Sequence, residues 1–306
     1  MTDWVFLFPG QGSQYVGMGR DFYENYSEVR ELFSQASDIL RMDMAKLCFE
    51  GPEDVLVQTE NVQPAITVVN AACHVVLQLH EIYPVAAAGH SLGEYSALYV
   101  AGVMSLKDLL QLVLWRGRFM QEAALQSPGA MAAIMDLEED KIQEICRSCG
   151  AEIANVNCAE QVIITGPSET VERAVALSDE AGAKKCMMLN VSGPWHSRCM
   201  EGAREKFEPY VRSCVFHDPQ IAVINNVDAM FLQGAHEVPH KLINQICGSV
   251  LWRQSMEKFL QQGHRHFVEV GPKKVLRGLM RRIDRSVKVL NVEDTESLAG
   301  FLRANQ

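Results

Sequence analysis

The sequence predicts a mixed α/β fold in which a small domain interrupts a larger one, and three observations indicate this. Short apolar stretches such as residues 5–8 alternate with helical stretches, as in a parallel sheet covered by helices. An apolar strand at 85–88 runs into Gly89-His90-Ser91-Leu92-Gly93, a G-x-S-x-G sequence typical of a sharp turn from strand to helix. Residues 130–191 follow the order β-α-β-β-α-β, which is the ferredoxin-like arrangement. The predicted fold is an α/β hydrolase-like large domain over 1–128 and 194–306, with a ferredoxin-like α+β subdomain inserted at 129–193.

Hydrophobic periodicity predicts the elements of the large domain. The first strand covers 5–8 and ends at Pro9, and helical periodicity follows over 22–48 and 64–80. The helix at 64–80 is apolar nearly all round, so we expect it to be buried. Another helix covers 106–124, and strands are predicted near 221–225 and 266–270. A basic helix is expected after Gly271-Pro272.

The small domain is predicted to contain strands at 131–135, 152–156, 161–165 and 185–191, with helices at 138–147 and 169–181. After the last strand, the chain returns to the large domain through Ser192-Gly193-Pro194-Trp195. We therefore expect a cleft between the two domains at this crossing.

Charge and cysteine content narrow the function classes. The 306 residues contain 28 Lys and Arg against 38 Asp and Glu, a net charge of −10, which argues against nucleic-acid binding. The nine cysteines are scattered, which favours a reducing compartment. With no basic leader and no long apolar run recognised in the sequence, a cytoplasmic location without membrane contact is expected. The sequence predicts no metal and no bound cofactor.

A basic run over residues 264–288 stands out against the acidic total. It contains eight Lys or Arg and two acidic residues. Such a run is typical of a solvated helix face, and the alternative is a docking surface for an anionic partner.

Ser91 is the candidate nucleophile. The elbow would expose its Oγ at the end of a sheet, and the N–H that follows it would face a developing oxyanion. The alternative is structural, because Ser91-x-x-Glu94 also fits a helix capping box.

His196 is the candidate base. A serine nucleophile needs a base within hydrogen-bond reach, and His196 follows the crossing that forms the cleft. His90 neighbours Ser91 and should point elsewhere. No acidic residue is convincingly placed to orient the imidazole; Asp218 is loosely plausible, and a backbone carbonyl would serve equally well.

Arg116 suggests the kind of substrate. In the helix at 106–124 it shares the apolar face of Leu112, Val113 and Met120 at helical spacing. A buried guanidinium requires an anionic partner. That partner is either a structural carboxylate or the free carboxylate of a substrate acyl group.

These pieces together resemble the malonyl-CoA:acyl carrier protein transacylase family over essentially the whole chain. The matching signatures, in order, are Phe8-Pro9-Gly10-Gln11-Gly12-Ser13-Gln14, Gly89-His90-Ser91-Leu92-Gly93-Glu94, Arg116-Gly117-Arg118-Phe119-Met120-Gln121, Asn225-Asn226-Val227 and Glu269-Val270-Gly271-Pro272. The resemblance covers both fatty-acid-type members and discrete, trans-acting acyltransferases of polyketide synthases.

The resemblance implies a ping-pong transfer of malonyl from malonyl-CoA to the phosphopantetheine thiol of an acyl carrier protein. Ser91 would carry the malonyl group and His196 would act as base, with the imidazole oriented by a main-chain carbonyl, which position assigns to Leu251. The backbone N–H groups of Gln11 and Leu92 would form the oxyanion hole. Substrate-binding positions would be Arg116, Gln63, Asn157 and Trp195.

Two features separate the chain from typical fatty-acid members. Trp195 replaces a smaller residue and resembles malonyl-selective polyketide members, so its bulk should crowd an α-substituent. Leu251 stands where members often carry glutamine, a change that a main-chain contact would tolerate.

Two alternatives to acyl transfer remain open. The protein could hydrolyse acyl groups from the carrier proteins of a polyketide assembly line, which Arg116 argues against, or serve as a docking scaffold without chemistry. For transfer, the basic run would receive the acidic carrier, with Lys273, Lys274, Arg277 and Arg281 as the expected contacts.

Overall fold

The computed structural model describes residues 3–305. The elements of the first part of the chain are, in order, β1 (Trp4–Phe8), α1 (Arg20–Asn25), α2 (Ser27–Leu40), α3 (Met44–Glu50), α4 (Glu53–Leu56), α5 (Thr59–Leu79), β2 (Ala86–Gly89), α6 (Gly93–Val100) and α7 (Leu106–Gln126). The single helical stretch expected over 22–48 is divided into α1, α2 and α3. Extended backbone at Tyr26 separates α1 from α2, and left-handed backbone at Arg41 ends α2.

The next elements form the small subdomain: β3 (Ala130–Met135), α8 (Glu139–Cys149), β4 (Glu152–Cys158), β5 (Gln161–Gly166), α9 (Ser168–Glu180) and β6 (Lys185–Met188). Their strands pair antiparallel in the order β4–β5–β3–β6, with Ala132 opposite both Ile164 and Met188. This agrees with the expected ferredoxin-like unit, and we propose 129–193 as its bounds. The last strand is shorter than expected, because residues 189–192 leave the sheet.

The chain then completes the large domain with α10 (Glu201–Ser213), β7 (Ala222–Val223), α11 (Val238–Gln245), α12 (Trp252–Gln261), β8 (His266–Val270), α13 (Val275–Ile283), β9 (Lys288–Val292) and α14 (Thr295–Ala304). The strands form a parallel sheet in the order β7–β2–β1–β8–β9. The mixed α/β fold predicted from the sequence is confirmed. Sequence periodicity left β9 and α14 unassigned.

The central strand β1 and the long helix α5 are both apolar because both are buried. All five residues of β1, Trp-Val-Phe-Leu-Phe, are buried, as expected for a parallel strand covered on both faces. The helix α5 is long and apolar enough to span a membrane, yet 83% of its most apolar window is buried inside the protein. It is therefore a core helix, and it packs against α7.

Small residues let α6 lie directly against the strands that precede it. A Cβ atom on Gly89 would lie 1.9 Å from the backbone carbon of Gly93, and one on Gly93 would lie 1.9 Å from the carbonyl oxygen of Phe8. Both positions therefore require glycine. This packing holds the turn between β2 and α6 at the carboxyl end of the sheet.

Candidate active site

Ser91 occupies the turn between β2 and α6 in a strained conformation. Its φ angle is 51°, in the left-handed region that non-glycine residues rarely adopt. Its N–H donates to Oδ1 of Asn226 at 2.7 Å, and Nδ2 of Asn226 donates to the carbonyl of Gly89 at 2.8 Å. Asn226 thus fastens both sides of the elbow and helps to hold the strain.

The capping-box alternative for Ser91 and Glu94 is wrong. The N-terminus of α6 has no side-chain cap. The Glu94 carboxylate accepts from the N–H of Asn226 at 3.1 Å and from Nε2 of Gln245 at 2.7 Å. Glu94 is therefore directed beneath the elbow rather than back to the N–H of Ser91.

His196 is in direct contact with the serine. Its Nε2 lies 2.7 Å from Oγ of Ser91. Its Nδ1 lies 2.9 Å from the carbonyl oxygen of Gln245 and 3.0 Å from that of Gly248. Two carbonyl acceptors assign the proton to Nδ1, so the lone pair on Nε2 faces the serine hydroxyl.

The prediction that Leu251 supplies the orienting carbonyl is wrong. The carbonyl of Leu251 accepts from the N–H and Oγ of Ser255, at 3.0 and 2.8 Å, because it begins the hydrogen bonding of α12. The carbonyls of Gln245 and Gly248 are free for His196 since they lie where α11 has ended. Asp218 is also not a partner of His196; its carboxylate accepts from the N–H of Ala235.

The imidazole is neutral at physiological pH. Burial, together with the positive charge of Arg116, lowers the pKa of His196 to about 3. The side chain is therefore held in the form that can accept a proton.

Arg116 is buried on α7, with 2% of its surface exposed, and points at the nucleophile. Its Nη2 donates to Oγ of Ser91 at 3.0 Å and to Oε1 of Gln245 at 3.1 Å. Its Nη1 donates to Oε1 of Gln63 at 2.8 Å, and the guanidinium lies over the Tyr95 ring. Within residues 3–305 it forms no salt bridge, and its Nε has no hydrogen-bond partner.

A cavity of about 530 Å³ opens beside these groups, in the cleft between the two sheets. It is lined by six of the predicted site residues: Gln11, Ser91, Leu92, Arg116, Trp195 and His196. Residues 189–192, which leave β6, also line it. The expected cleft therefore contains most of the expected site.

Two predicted substrate contacts lie behind the cavity wall. The side chain of Gln63 is fully buried and holds Arg116. Asn157 pairs with Nε2 of His90 at 2.9 Å and with Gln161 at 3.0 Å, and the residue of β4 that lines the cavity is Asn155. Neither side chain lines the cavity, and both support other side chains, so the direct substrate roles of Gln63 and Asn157 stay predictions.

Two backbone N–H groups are available beside Ser91. In the described part of the chain, those of Gln11 and Leu92 have no backbone acceptor. A Cβ atom on Gly10 would lie 2.5 Å from the His90 carbonyl and 3.5 Å from the Leu92 nitrogen, so the loop after β1 runs against the elbow. This close approach brings the backbone of the loop near that of Leu92, and the oxyanion hole formed by the two N–H groups stays a prediction.

Comparison with known proteins agrees with this geometry. The chain matches the acyl transferase domain family over residues 5–306. It is 39% identical over 303 residues to the malonyl CoA-acyl carrier protein transacylase of Bacillus subtilis (strain 168), covering 97% of this chain and 96% of the relative. The protein of the same name from Staphylococcus aureus (strain MRSA252) is 35% identical over 306 residues, with 98% and 99% covered. The chain belongs to the malonyl-CoA:acyl carrier protein transacylase family.

Solved structures of this transacylase family share the whole fold. A malonyl-transacylase in complex with a type II polyketide synthase acyl carrier protein has a TM-score of 0.96 at 38% identity, covering 99% of this chain and 100% of that one. An acyl carrier protein S-malonyltransferase from Vibrio cholerae has a TM-score of 0.95 at 39% identity, covering 98% and 100%. The similarity includes both sheets, because it extends over nearly all of each chain.

In this member of the transacylase family, sequence reasoning missed the residue that joins the site together. Gln245 contacts Ser91, Arg116 and His196, yet it lies at the end of α11 without a recognisable motif. Asn226 carried a signal, since it belongs to the Asn225-Asn226-Val227 signature.

Proposed function

We propose that the protein transfers a malonyl group from malonyl-CoA to the phosphopantetheine thiol of an acyl carrier protein through a malonyl ester on Ser91. One observation supports malonyl as the acyl group. The Arg116 guanidinium is buried, borders the cavity, lies 3.0 Å from Oγ of Ser91 and has no carboxylate partner in residues 3–305. A substrate carboxylate would supply the directly bound negative charge that the guanidinium lacks.

In the first half-reaction, Nε2 of His196 takes the proton of the Ser91 hydroxyl as Oγ attacks the thioester carbon. The N–H groups of Gln11 and Leu92 donate to the oxyanion. The carbon–sulfur bond then breaks, and the imidazolium returns the proton to the departing CoA thiolate. The product is the malonyl ester of Ser91 and free CoA.

In the second half-reaction, the thiol of the carrier's phosphopantetheine takes the place of CoA. His196 removes the thiol proton, the sulfur attacks the ester carbon, and the same two N–H groups stabilise the oxyanion. The ester bond to Oγ breaks and Ser91 receives the proton back. Each half-reaction therefore leaves His196 neutral.

Arg116 has two partners in this scheme. In the free enzyme its Nη2 donates to Oγ of Ser91, which favours the developing alkoxide. When a malonyl group is bound, the guanidinium can bind its carboxylate in the planar geometry that guanidinium groups favour. An acyl group without a carboxylate would leave this charge unpaired, so malonyl transfer is favoured over hydrolysis of neutral acyl chains.

We place the carrier on the surface around the start of α13. Lys273, Lys274 and Arg281 are exposed, and in the described chain none of them forms a salt bridge. Arg277 is half-buried and donates to Asn291 at 3.1 Å, so we expect it to contribute less to carrier binding.

This surface connects with the cavity through one loop. Gly12 and Gln14 line the cavity, and the hydroxyl of Tyr15 donates to Glu293 at 3.3 Å. The same carboxylate accepts from the N–H of Lys273 at 2.7 Å. A carrier bound at Lys273 and Lys274 would thus stand beside the cavity entrance.

We also propose a cytoplasmic location, in a fatty-acid or polyketide pathway. The nine cysteines are all free thiols, which suits a reducing compartment.

Intact-protein mass spectrometry tests the proposed transfer. The enzyme is exposed to malonyl-, methylmalonyl- and acetyl-CoA, freed from CoA esters, and then mixed with a phosphopantetheinylated carrier. We expect malonyl to load the enzyme first and then to appear on the carrier thiol. Release of free malonate without labelled carrier would favour the hydrolase alternative.

A further inference from the structure

Gln245 is the common partner of the three groups that the proposed reaction uses. Its Nε2 donates to the carbonyl of Ser91 at 3.0 Å, its Oε1 accepts from Nη2 of Arg116 at 3.1 Å, and its main-chain carbonyl lies 2.9 Å from Nδ1 of His196. The side chain is fully buried. A change in the position of Gln245 would therefore disturb all three groups together.

The side-chain amide of Gln245 has one correct orientation. Its two ends are similar in shape, and only the partners distinguish the oxygen from the nitrogen. In the observed orientation the NH₂ group faces two acceptors, the carbonyl of Ser91 and Oε2 of Glu94. The oxygen faces the guanidinium of Arg116. If the amide were flipped, its oxygen would face the oxygen atoms of Ser91 and Glu94, and its NH₂ group would face the NH₂ group of Arg116. Both contacts would be repulsive.

Glu94 provides the stronger of the two acceptors. Its Oε2 is 2.7 Å from Nε2 of Gln245, against 3.0 Å for the carbonyl of Ser91, and the ionised carboxylate is a stronger acceptor than a neutral carbonyl. The same oxygen accepts from the N–H of Asn226 at 3.1 Å, the residue whose Oδ1 holds the N–H of Ser91. Glu94 thus supports the elbow on two sides.

Glu94 is a buried carboxylate without an ionic partner. Glu94 is 1% exposed, and within residues 3–305 no Lys, Arg or His forms a salt bridge with it. Burial raises the pKa of its carboxyl to about 7, against the lowering effect of Gln245, Asn226 and Arg116.

We propose that Glu94 is a positioning residue for malonyl loading, which acts by fixing the amide orientation of Gln245 and through it the direction of the Arg116 guanidinium. This rests on the proposed malonyl transfer. Glu94 touches neither substrate nor the reacting atoms. Its effect should therefore be larger for an acyl group that uses Arg116 than for one that does not.

The test compares malonyl and acetyl loading of Ser91 in Glu94→Gln. The neutral amide can offer Gln245 either an oxygen or an NH₂ group, so only the carbonyl of Ser91 and the guanidinium of Arg116 still favour the observed orientation of Gln245. We expect the malonyl loading rate to fall about tenfold or more, and the ratio of malonyl to acetyl loading to fall with it. A purely structural role would lower both rates equally, and that result would overturn the proposal.

Glu269→Gln is the matched control. Glu269 is also fully buried, burial raises its pKa to about 7, and it accepts from the N–H groups of Leu276 and Arg277, at the start of α13. Its substitution removes a buried carboxylate without touching Gln245. We expect an unchanged malonyl to acetyl ratio in this variant.

A double-mutant cycle with Gln245→Met tests whether Glu94 affects the malonyl to acetyl ratio through Gln245. When Gln245 is methionine, Glu94→Gln should not change the malonyl to acetyl ratio further. Independent, multiplying effects on the ratio would contradict an action through Gln245. Should Glu94→Gln not fold, Gln245→Met alone decides, because an unchanged ratio in that variant would overturn the proposal.

The wild-type protein separates this proposal from the proposed function. If the wild type does not accept malonyl on Ser91, the transfer itself fails. If it accepts malonyl and Glu94→Gln loads both acyl groups as the wild type does, only the positioning role fails.

Discussion

Nη2 of Arg116 lies 3.0 Å from Oγ of Ser91, although Arg116 comes from the middle of α7 and Ser91 from the turn after β2. The contact places a positive charge beside the nucleophile in a buried setting, where charge interactions are strong. It joins the two parts of the proposed chemistry, since one side chain faces both the hydroxyl and the space for the acyl group.

Arg116→Ala should lower malonyl loading far more than acetyl loading. Loss of a charge-assisted contact to the substrate carboxylate costs about 1.5–3 kcal/mol, or roughly 10- to 100-fold in the rate ratio. Stopped-flow or quenched loading assays with both CoA esters measure this. Arg118→Ala is the control, because Arg118 lies on the same helix but is exposed over the Trp115 ring. Equal losses for both esters in Arg116→Ala would show that Arg116 is only structural.

Acetyl loading of Ser91, which does not use the contact between Arg116 and a substrate carboxylate, should be nearly independent of pH between 7.5 and 5.5. The base is the neutral form of His196, and burial with the charge of Arg116 lowers its pKa to about 3. The neutral fraction therefore stays near one over this range, whereas a histidine with an ordinary pKa would lose about tenfold of it. Single-turnover rates on folded protein measure the profile. A loss centred near pH 6.5 would contradict the lowered pKa of His196.

Trp195→Ala should increase methylmalonyl loading relative to malonyl. The indole lines the cavity and is 7% exposed. Its ring lies so close to Gly193 that a Cβ atom there would be 2.7 Å away, so the indole cannot easily move aside for a methyl group. Relief of one methyl clash is worth about tenfold in the ratio. Competition between the two CoA esters measures it, and an unchanged ratio would exclude Trp195 as the steric barrier.

Charge reversal at Lys273 or Lys274 should weaken the use of the carrier protein and leave malonyl-CoA loading intact. Both side chains are exposed beside the loop that leads to the cavity. We expect a rise in KM for the carrier that disappears at high salt, because salt screens exposed charges. Lys107→Glu, at an exposed position near the start of α7, is the control. An unchanged carrier KM in Lys273→Glu and Lys274→Glu would place the carrier elsewhere.

Local patterns predicted the nucleophile, the base and the inward arginine. The elbow at Ser91 follows from glycines that permit close packing, and the burial of Arg116 follows from helical spacing alone. The orienting carbonyl could not be predicted in this way. Every residue has a carbonyl group. Those of Gln245 and Gly248 face His196 because α11 ends at Gln245, and the exact end of a helix is not visible in the sequence.

The directions of the Gln63 and Asn157 side chains could not be predicted either. Sequence position brought both residues near the cavity, but it did not show which way each side chain points. The pairing of β4 with β5 shifts register between Ile153 and Asn155 and again between Val156 and Cys158. Such irregularities are set by strand pairing across the sheet, and Asn155 rather than Asn157 faces the cavity as a result.

Covalent labelling of Ser91 by malonyl-CoA, read by intact-protein mass spectrometry and peptide mapping, is the decisive test of malonyl transfer. We expect one malonyl group per wild-type chain, located on the peptide that contains Ser91, and none on Ser91→Ala. A labelled Ser91→Ala variant, or a wild-type protein that never acquires the group, would contradict it.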